Sequence, residues 1–240
     1  MPAVSASAPG KVILFGEHAV VYGQPAIAVP VNQVRAKAMI TANPKGSAGE
    51  VRIVASDIGF NRLLSELAPD HPLALAVTAT AEMLGVTRLP SLRLQINSTI
   101  PIAAGLGSGA AVSAAIARAL SAFLGHPFAD DQVSHIAYRV DQKHHGTPSG
   151  IDNTVIAYGQ PVFYVRGKPF ERICARMPFT LVIGNTGISS PTRTTVADVR
   201  RRWEEAPDVY EAIFGEIGAI ALEARRAIEL GQPAALGPLM

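Results

Sequence analysis

The segment Pro101-Ile-Ala-Ala-Gly-Leu-Gly-Ser-Gly-Ala-Ala111 is the most informative part of this 240-residue chain. It lies between residues 92–96, whose alternation predicts a β-strand, and the alanine-rich residues 110–124, which predict a helix. A glycine-rich loop that opens a helix presents free backbone N–H groups beside the positive end of the helix dipole. The loop therefore favours an anion, with phosphate as the natural ligand, although a flexible turn without a ligand is the alternative.

Two familiar phosphate-binding patterns do not fit this loop. The Walker pattern requires Lys followed by Ser or Thr after the last glycine, whereas Ala110 and Ala111 follow Gly109. The dinucleotide-binding pattern requires a glycine three residues after Gly107, and Ala110 occupies that position. The sequence therefore predicts a phosphate loop of another type.

Strands and helices are predicted to interleave along the rest of the chain. The apolar patterns predict strands over 11–15, 34–42, 51–54, 92–96, 161–165 and 180–183, and helices over 73–84, 110–124, 130–143 and 208–230. Alternating apolar and polar residues favour an antiparallel or mixed sheet, and hence an α+β fold. We place a domain boundary near residue 175, between an N-terminal unit (1–175) and a C-terminal unit (176–240).

Composition narrows the class of protein. The chain has 21 Lys and Arg against 19 Asp and Glu, and 48% of its residues are hydrophobic, which excludes a disordered tail protein. Its densest basic run, 200–202, is too short to predict nucleic-acid binding. Cys174 is the single cysteine, so an intrachain disulfide is excluded. Without a long apolar run, we expect a soluble, cytoplasmic protein that does not bind membranes.

A second motif, Ser5-Ala-Ser-Ala-Pro-Gly-Lys-Val-Ile-Leu-Phe-Gly-Glu-His-Ala-Val-Val-Tyr-Gly23, contains a lysine at the start of an apolar strand. Glu17 and His18 follow in a turn that Gly16 opens. A charge beside a buried strand needs a partner, which predicts an ion pair between Lys11 and Glu17 and a functional site around it. The alternative is an edge-strand lysine followed by a surface turn.

A third motif, Asp141-Gln-Lys-His-His-Gly-Thr-Pro-Ser-Gly-Ile-Asp-Asn153, is predicted as a helix end followed by a turn-rich loop. Asp152 could accept a hydroxyl proton during phosphoryl transfer while a second carboxylate holds a metal. Asp141, His144 and His145 could also be ligands of a transition metal, but a fourth ligand is missing from this pattern.

Together, the three motifs resemble the superfamily of galactokinase, homoserine kinase, mevalonate kinase and phosphomevalonate kinase. The stretch 8–23 is similar to the opening of mevalonate kinases, and 145–153 to their catalytic-base loop. The similarity runs from about residue 7 to residue 230. It implies transfer of the ATP γ-phosphoryl group to the primary hydroxyl of mevalonate, which gives 5-phosphomevalonate for isoprenoid biosynthesis.

The resemblance also implies roles for individual residues. Asp152 corresponds to the catalytic aspartate, Lys11 to the lysine that lowers the pKa of the substrate hydroxyl, and Asp141 to the Mg²⁺-binding carboxylate, which is usually Glu. The phosphate loop comprises Pro101, Ala104, Gly105, Leu106, Gly107, Ser108, Gly109 and Ala110, and the mevalonate pocket comprises Glu17, His18, His145 and Thr192. In the family, a serine that reaches Mg²⁺ occupies position 109, so Ser108 or a water would complete the coordination here.

For the fold, the resemblance implies two α+β halves with the active site between them and a left-handed strand-helix-strand crossover in the N-terminal half. Family members continue beyond the long helix, so we expect a C-terminally shortened chain with an incomplete second domain and a surface that could form a homodimer. Two alternatives to mevalonate phosphorylation stay open: a related small-molecule kinase of the superfamily, and a nucleotide-binding remnant without catalysis.

Overall fold

The computed structural model describes residues 3–145, 148–187 and 192–240, with the side chains of 144, 145, 192 and 193 left outside the description. The strands of this part are β1 (Val4–Phe15), β2 (Ala26–Ala42), β3 (Val51–Ala55), β4 (Phe60–Leu63), β5 (Leu92–Ser98), β6 (Val162–Tyr164) and β7 (Glu171–Arg172). The α-helices are α1 (Pro72–Met83), α2 (Ser108–Phe123), α3 (Asp130–His145), α4 (Ile151–Tyr158), α5 (Thr192–Glu205) and α6 (Pro207–Leu230).

One mixed sheet contains all of these strands, in the order β4-β3-β5-β2-β6-β7, with β1 paired to β2. The pair β3 and β5 is parallel, and the other pairs are antiparallel. The long strand β2 pairs with β1, with β5 through 36–42, and with β6 through 26–28. The mixed sheet confirms the predicted fold class, while the left-handed crossover stays a prediction.

Helix α2 is the centre of the main core. It packs against β1, β2, α1, α3 and α4. Its buried residues are mostly alanines: Ala110, Ala111, Ala114, Ala115, Ala117 and Ala119. Because alanine side chains are short, the sheet and the neighbouring helices can approach this helix closely, and the few large residues, such as Ile116 and Leu120, fill the remaining space. Full burial of each such large side chain stabilises the fold by roughly 1.5–3 kcal/mol.

Helix α6 packs on the same sheet through a second apolar cluster. Phe15, Ile27 and Phe163 of the strands contact the buried small residues Ala221 and Ala224 of the helix. The predicted boundary near residue 175 stays a prediction. Among the described residues, none of the helices has both the length and the apolar character that crossing a bilayer demands.

Some predicted elements differ from the structure. Residues 180–183 were predicted as a strand but are irregular, and Val182 is 93% exposed. Their β-branched residues favour a strand, but no other strand in the described part of the chain pairs with them. Strands β1 and β2 begin at Val4 and Ala26, well before the predicted starts. The two strands pair with each other along these added residues, which extends β1 through an Ala- and Ser-rich segment and β2 across Pro30. The turn-rich loop predicted at the end of 141–153 contains the start of α4, and β4, β7 and α5 were not predicted.

Candidate active site

The centre of the candidate site is an ion pair between Lys11 and Asp152. Lys11 Nζ lies 2.9 Å from Asp152 Oδ1, and the two side chains are 9% and 34% exposed, respectively. Lys11 belongs to β1 and Asp152 to the first turn of α4. A nearly buried ammonium group needs such a partner, and the accessible carboxylate leaves room for a substrate beside it.

The prediction that Lys11 forms an ion pair with Glu17 was wrong. Glu17 is exposed, and the ammonium group of Lys11 pairs with Asp152 instead. The chain turns sharply at Gly16, where φ is +96° and an added Cβ would lie 2.5 Å from the carbonyl oxygen of Pro25. This turn carries Glu17 out of the strand and to the surface.

The glycine-rich loop lies directly on Lys11. The backbone N–H of Lys11 donates to the carbonyl oxygen of Leu106 at 3.0 Å. Gly107 has φ of +71°, and a Cβ at this position would lie 2.8 Å from Lys11 Cγ and 2.9 Å from Ile156 Cδ1. Both the left-handed backbone and the close contact therefore require glycine at position 107.

Helix α2 begins at this loop. Gly107 is its N-cap, and because glycine has no side chain, the first-turn N–H groups of Ser108, Gly109 and Ala110 have no cap from that residue. A Cβ at Gly109 would meet nothing within 4 Å among the described residues, and its φ is outside the left-handed region. The helix N-terminus is thus open to an anion beside the Lys11 and Asp152 pair.

Asp141, in α3, is a buried carboxylate that acts on the same pair. It is 7% exposed. The pKa of Asp141 is raised to about 7, chiefly by burial and also by the negative charge of Asp152, while the positive charge of Lys11 partly offsets both effects. Asp141 therefore interacts electrostatically with both members of the ion pair.

The other predicted site residues lie in the glycine-rich loop, in the turn after β1 and at helix ends. Pro101 and Ala104 are half-buried in the loop, and Gly105 adopts a φ of +74°. His18 is half-buried, with an unusual φ of +60°. His145 ends α3 and Thr192 begins α5, but their side chains lie outside the described residues, so their predicted role stays a prediction.

Sequence reasoning missed the groups that hold the start of α4. The Tyr164 hydroxyl donates to the carbonyl oxygen of Ser149 at 2.7 Å, and the Asn153 amide lies 2.8 Å from the Ser134 hydroxyl. Tyr164 belongs to a short strand that carries no motif, so the sequence contains no signal for this contact. Asn153 follows Asp152 in the sequence, which places it near the site but does not predict its contact with Ser134.

Comparison with known proteins places the chain in a family. Residues 72–160 match the GHMP kinases N terminal domain. The mevalonate kinase of Pyrococcus furiosus is 34% identical over 94% of this chain and 70% of its own length, and that of Archaeoglobus fulgidus is 34% identical over 91% and 71%. The structure of the L. major mevalonate kinase in complex with R-mevalonate superimposes with a TM-score of 0.77 at 28% identity, covering 98% of this chain and 72% of that one. The motifs, the fold and these relatives agree: the chain belongs to the mevalonate kinase family.

Proposed function

We propose that this chain transfers the γ-phosphoryl group of ATP to the primary hydroxyl of mevalonate, forming 5-phosphomevalonate and ADP. The observation that carries the proposal is the Lys11 and Asp152 ion pair, located beside a glycine-rich loop and the open N-terminus of α2. Relatives named mevalonate kinase support this choice of acceptor, among them one whose structure contains R-mevalonate.

In the proposed reaction, Asp152 acts as the base. Its carboxylate accepts the proton of the mevalonate hydroxyl while that oxygen forms a bond to the γ-phosphorus. The bond between the γ-phosphorus and the oxygen that bridges to the β-phosphate breaks, and its electron pair leaves with ADP. The proton then passes from Asp152 to solvent, which the 34% exposure of its side chain permits.

Lys11 stabilises the negative charge that develops on the attacking oxygen. Asp152 holds the ammonium group of Lys11, and Gly107 packs closely against the aliphatic part of the same side chain. A fixed charge in a nearly dry site interacts more strongly with an alkoxide than a solvated one would. We therefore assign to Lys11 the stabilisation of the transition state.

The phosphate groups of ATP would bind at the loop 101–110. The first-turn N–H groups of α2 point out of the helix N-terminus, where the helix dipole favours negative charge. The bond from the Lys11 N–H to Leu106 fixes this loop relative to β1. The γ-phosphoryl group would thereby lie beside the reacting pair.

A Mg²⁺ ion fits the groups that are present. Asp141 is a buried carboxylate with a raised pKa, next to a second carboxylate, and a cation would relieve the repulsion between the two. The described residues contain no cluster of three or more His, Cys, Asp or Glu side chains that could hold a metal alone. This suits Mg²⁺, which usually keeps several waters and phosphate ligands. Asp141 and the Ser108 hydroxyl would hold it, and the bound ion would neutralise phosphate charge.

The mevalonate pocket is proposed around Glu17, His18, His145 and Thr192. The turn that carries Glu17 and His18 follows directly on β1, the strand that holds Lys11. We also propose, from the sequence alone, that the chain forms a homodimer and is located in the cytoplasm.

The test is a coupled ADP-release assay with ATP, Mg²⁺ and four separate acceptors: mevalonate, phosphomevalonate, homoserine and galactose. We expect turnover with mevalonate and a product whose phosphorus is bonded to the primary oxygen. Turnover only with another acceptor would contradict the proposal. Thermal stabilisation by ATP and Mg²⁺ without product formation would indicate a nucleotide-binding protein instead, a reading that glycine at position 109 favours.

A further inference from the structure

The two partners of the reacting ion pair are attached to the fold in different ways. Lys11 belongs to β1, and its register opposite Pro30 of β2 fixes its backbone. Asp152 lies in the first turn of α4. Gly150, two residues earlier, is the N-cap of this helix and has a φ of +93°. Because glycine lacks a capping side chain and is conformationally free, other groups must fix the start of this helix.

Tyr164 supplies one such group from the sheet. Its hydroxyl donates to the carbonyl oxygen of Ser149 at 2.7 Å. The same hydroxyl is so close to Gly150 that a Cβ added at this glycine would clash with it. Burial raises the pKa of Tyr164, so the phenol stays protonated and remains a donor across the neutral range. The hydrogen bond and the packing thus act on the two residues that precede α4.

Other hydrogen bonds at this turn serve different purposes. Thr154 Oγ1 donates to the carbonyl oxygen of Gly150 at 2.7 Å, which closes the first turn of α4 but does not connect it to another element. Asn153 connects α4 to α3 through Ser134. The bond from Tyr164 differs because it connects the start of α4 to a strand of the sheet.

The strand that holds Tyr164 is also linked to Lys11. Tyr164 lies opposite Ala26 of β2, and Lys11 lies opposite Pro30 of the same strand. One strand therefore fixes the lysine through β1 and the aspartate through β6 and Tyr164. A change in the position of α4 relative to β2 would alter the 2.9 Å separation of the ion pair.

We infer that Tyr164 is a positioning residue of the phosphoryl-transfer site, whose hydroxyl holds the first turn of α4 so that Asp152 stays against Lys11. The inference rests on the proposed function, because it assigns the base to Asp152. Tyr164 itself does not contact the reacting groups. Its effect on the reaction passes through Ser149 and Gly150 to the carboxylate.

The experiment compares Tyr164→Phe with the matched control Tyr158→Phe. Tyr158 is the last residue of α4, and its ring packs against Phe170. The control therefore removes a tyrosine hydroxyl at the end of α4 that is far from Asp152. We expect Tyr164→Phe to lower kcat about tenfold, because a small displacement of a reacting group is costly in rate, while the KM for ATP and the melting temperature stay close to wild type. The control should retain wild-type kcat.

Amide hydrogen exchange measures the positioning without relying on activity. We expect Tyr164→Phe to accelerate exchange in residues 149–154 and to leave α2 unchanged, and the control to change neither. Unchanged exchange at 149–154 together with unchanged kcat would overturn the inference. A loss of protection throughout the fold would overturn it as well, because Tyr164 would then be a general structural residue.

A double-mutant cycle with Lys11→Met tests whether Tyr164 affects kcat through the Lys11 and Asp152 ion pair. If Tyr164 acts through the ion pair, Tyr164→Phe should lower kcat by a smaller factor in the Lys11→Met background than in wild type. Equal factors in both backgrounds would contradict that route. If the wild-type chain shows no turnover of mevalonate but exchange at 149–154 responds to Tyr164→Phe, the proposed function fails while the link between Tyr164 and α4 stands.

Discussion

At the scale of single residues, the site depends on a lysine that is almost entirely removed from solvent. Lys11 is 7% exposed, and its charge is compensated by Asp152 at 2.9 Å. A buried ammonium group is costly unless it is paired, so its presence beside the apolar residues 12–15 of β1 indicates a functional requirement rather than a contribution to stability.

Lys11→Met tests the role of this charge. Methionine keeps much of the length and the apolar character of the lysine stem, so packing against Gly107 should persist. We expect kcat to fall by about 100-fold or more, with a smaller change in the KM for mevalonate, because the charge acts mainly on the developing alkoxide. Steady-state kinetics would show this, with the exposed Lys45→Met as control. A change in KM alone would make Lys11 a binding residue.

Asp141 predicts a specific dependence of stability on pH. Its pKa in the folded protein is about 7, above the value of about 3.9 for an unfolded chain. The folded state therefore binds the proton more tightly, and stability is lost as the pH rises from about 4 through 7. Asp141→Asn removes this penalty, so without metal and nucleotide the variant should be more stable than wild type at pH 8, and its gain at pH 5 should be about a third of that at pH 8.

Thermal unfolding of wild type and Asp141→Asn from pH 5 to pH 8 measures this difference. The difference in the free energy of unfolding should grow with pH towards a ceiling of about 4 kcal/mol, which relaxation around the carboxylate would reduce. Added Mg²⁺ should raise the stability of wild type more than that of the variant. A difference that stays constant across this range would contradict the assignment of a raised pKa to Asp141.

At the scale of elements, the N-terminus of α2 carries glycine at position 109, where the resemblance to the family implies a serine that reaches Mg²⁺. The backbone there is not left-handed, and the described residues leave space for a side chain. Gly109→Ser should therefore be tolerated, and it should lower the Mg²⁺ concentration needed for half-maximal activity if a hydroxyl at this position can reach the ion.

The matched control is Gly109→Ala, which adds the same Cβ without the oxygen. Both variants should stabilise α2 slightly, because glycine is the poorer helix former. A lower Mg²⁺ requirement in the serine variant alone would assign a ligand role to the hydroxyl. An unchanged requirement in both would mean that Asp141, Ser108, water and the nucleotide phosphates hold the ion without help from position 109.

The helices of the core could be predicted from the sequence, whereas some other elements could not. Apolar patterns placed α1, α2 and α6 within one or two residues of their ends, because each helix buries apolar side chains: α2 and α6 contact the sheet, and α1 packs against α2 and α3. Helix α4 was missed because it is only eight residues long and follows glycine and proline. Residues 180–183 have strand composition, but strand formation needs a partner, which a local pattern does not contain.

At the scale of the whole molecule, the candidate site is built from elements that are far apart in the sequence. The motifs and their resemblance to a family indicated Lys11, Asp141, Asp152 and the glycine loop, but the local pattern paired Lys11 with Glu17. The ion pair with Asp152 and the contact of Tyr164 with Ser149 depend on how β1, α4 and β6 meet through the sheet. Such long-range contacts follow from topology and not from spacing along the chain.

The role of Asp152 as the base is tested most directly by single-turnover phosphoryl transfer from ATP to mevalonate with wild type and Asp152→Asn, with ATP binding measured on the same samples. Asparagine keeps the shape of the side chain but does not accept the hydroxyl proton at neutral pH. We predict that the variant binds ATP as wild type does and forms no detectable 5-phosphomevalonate, while the exposed control Asp70→Asn behaves as wild type. Near-normal transfer by Asp152→Asn would contradict the assignment of Asp152 as the base.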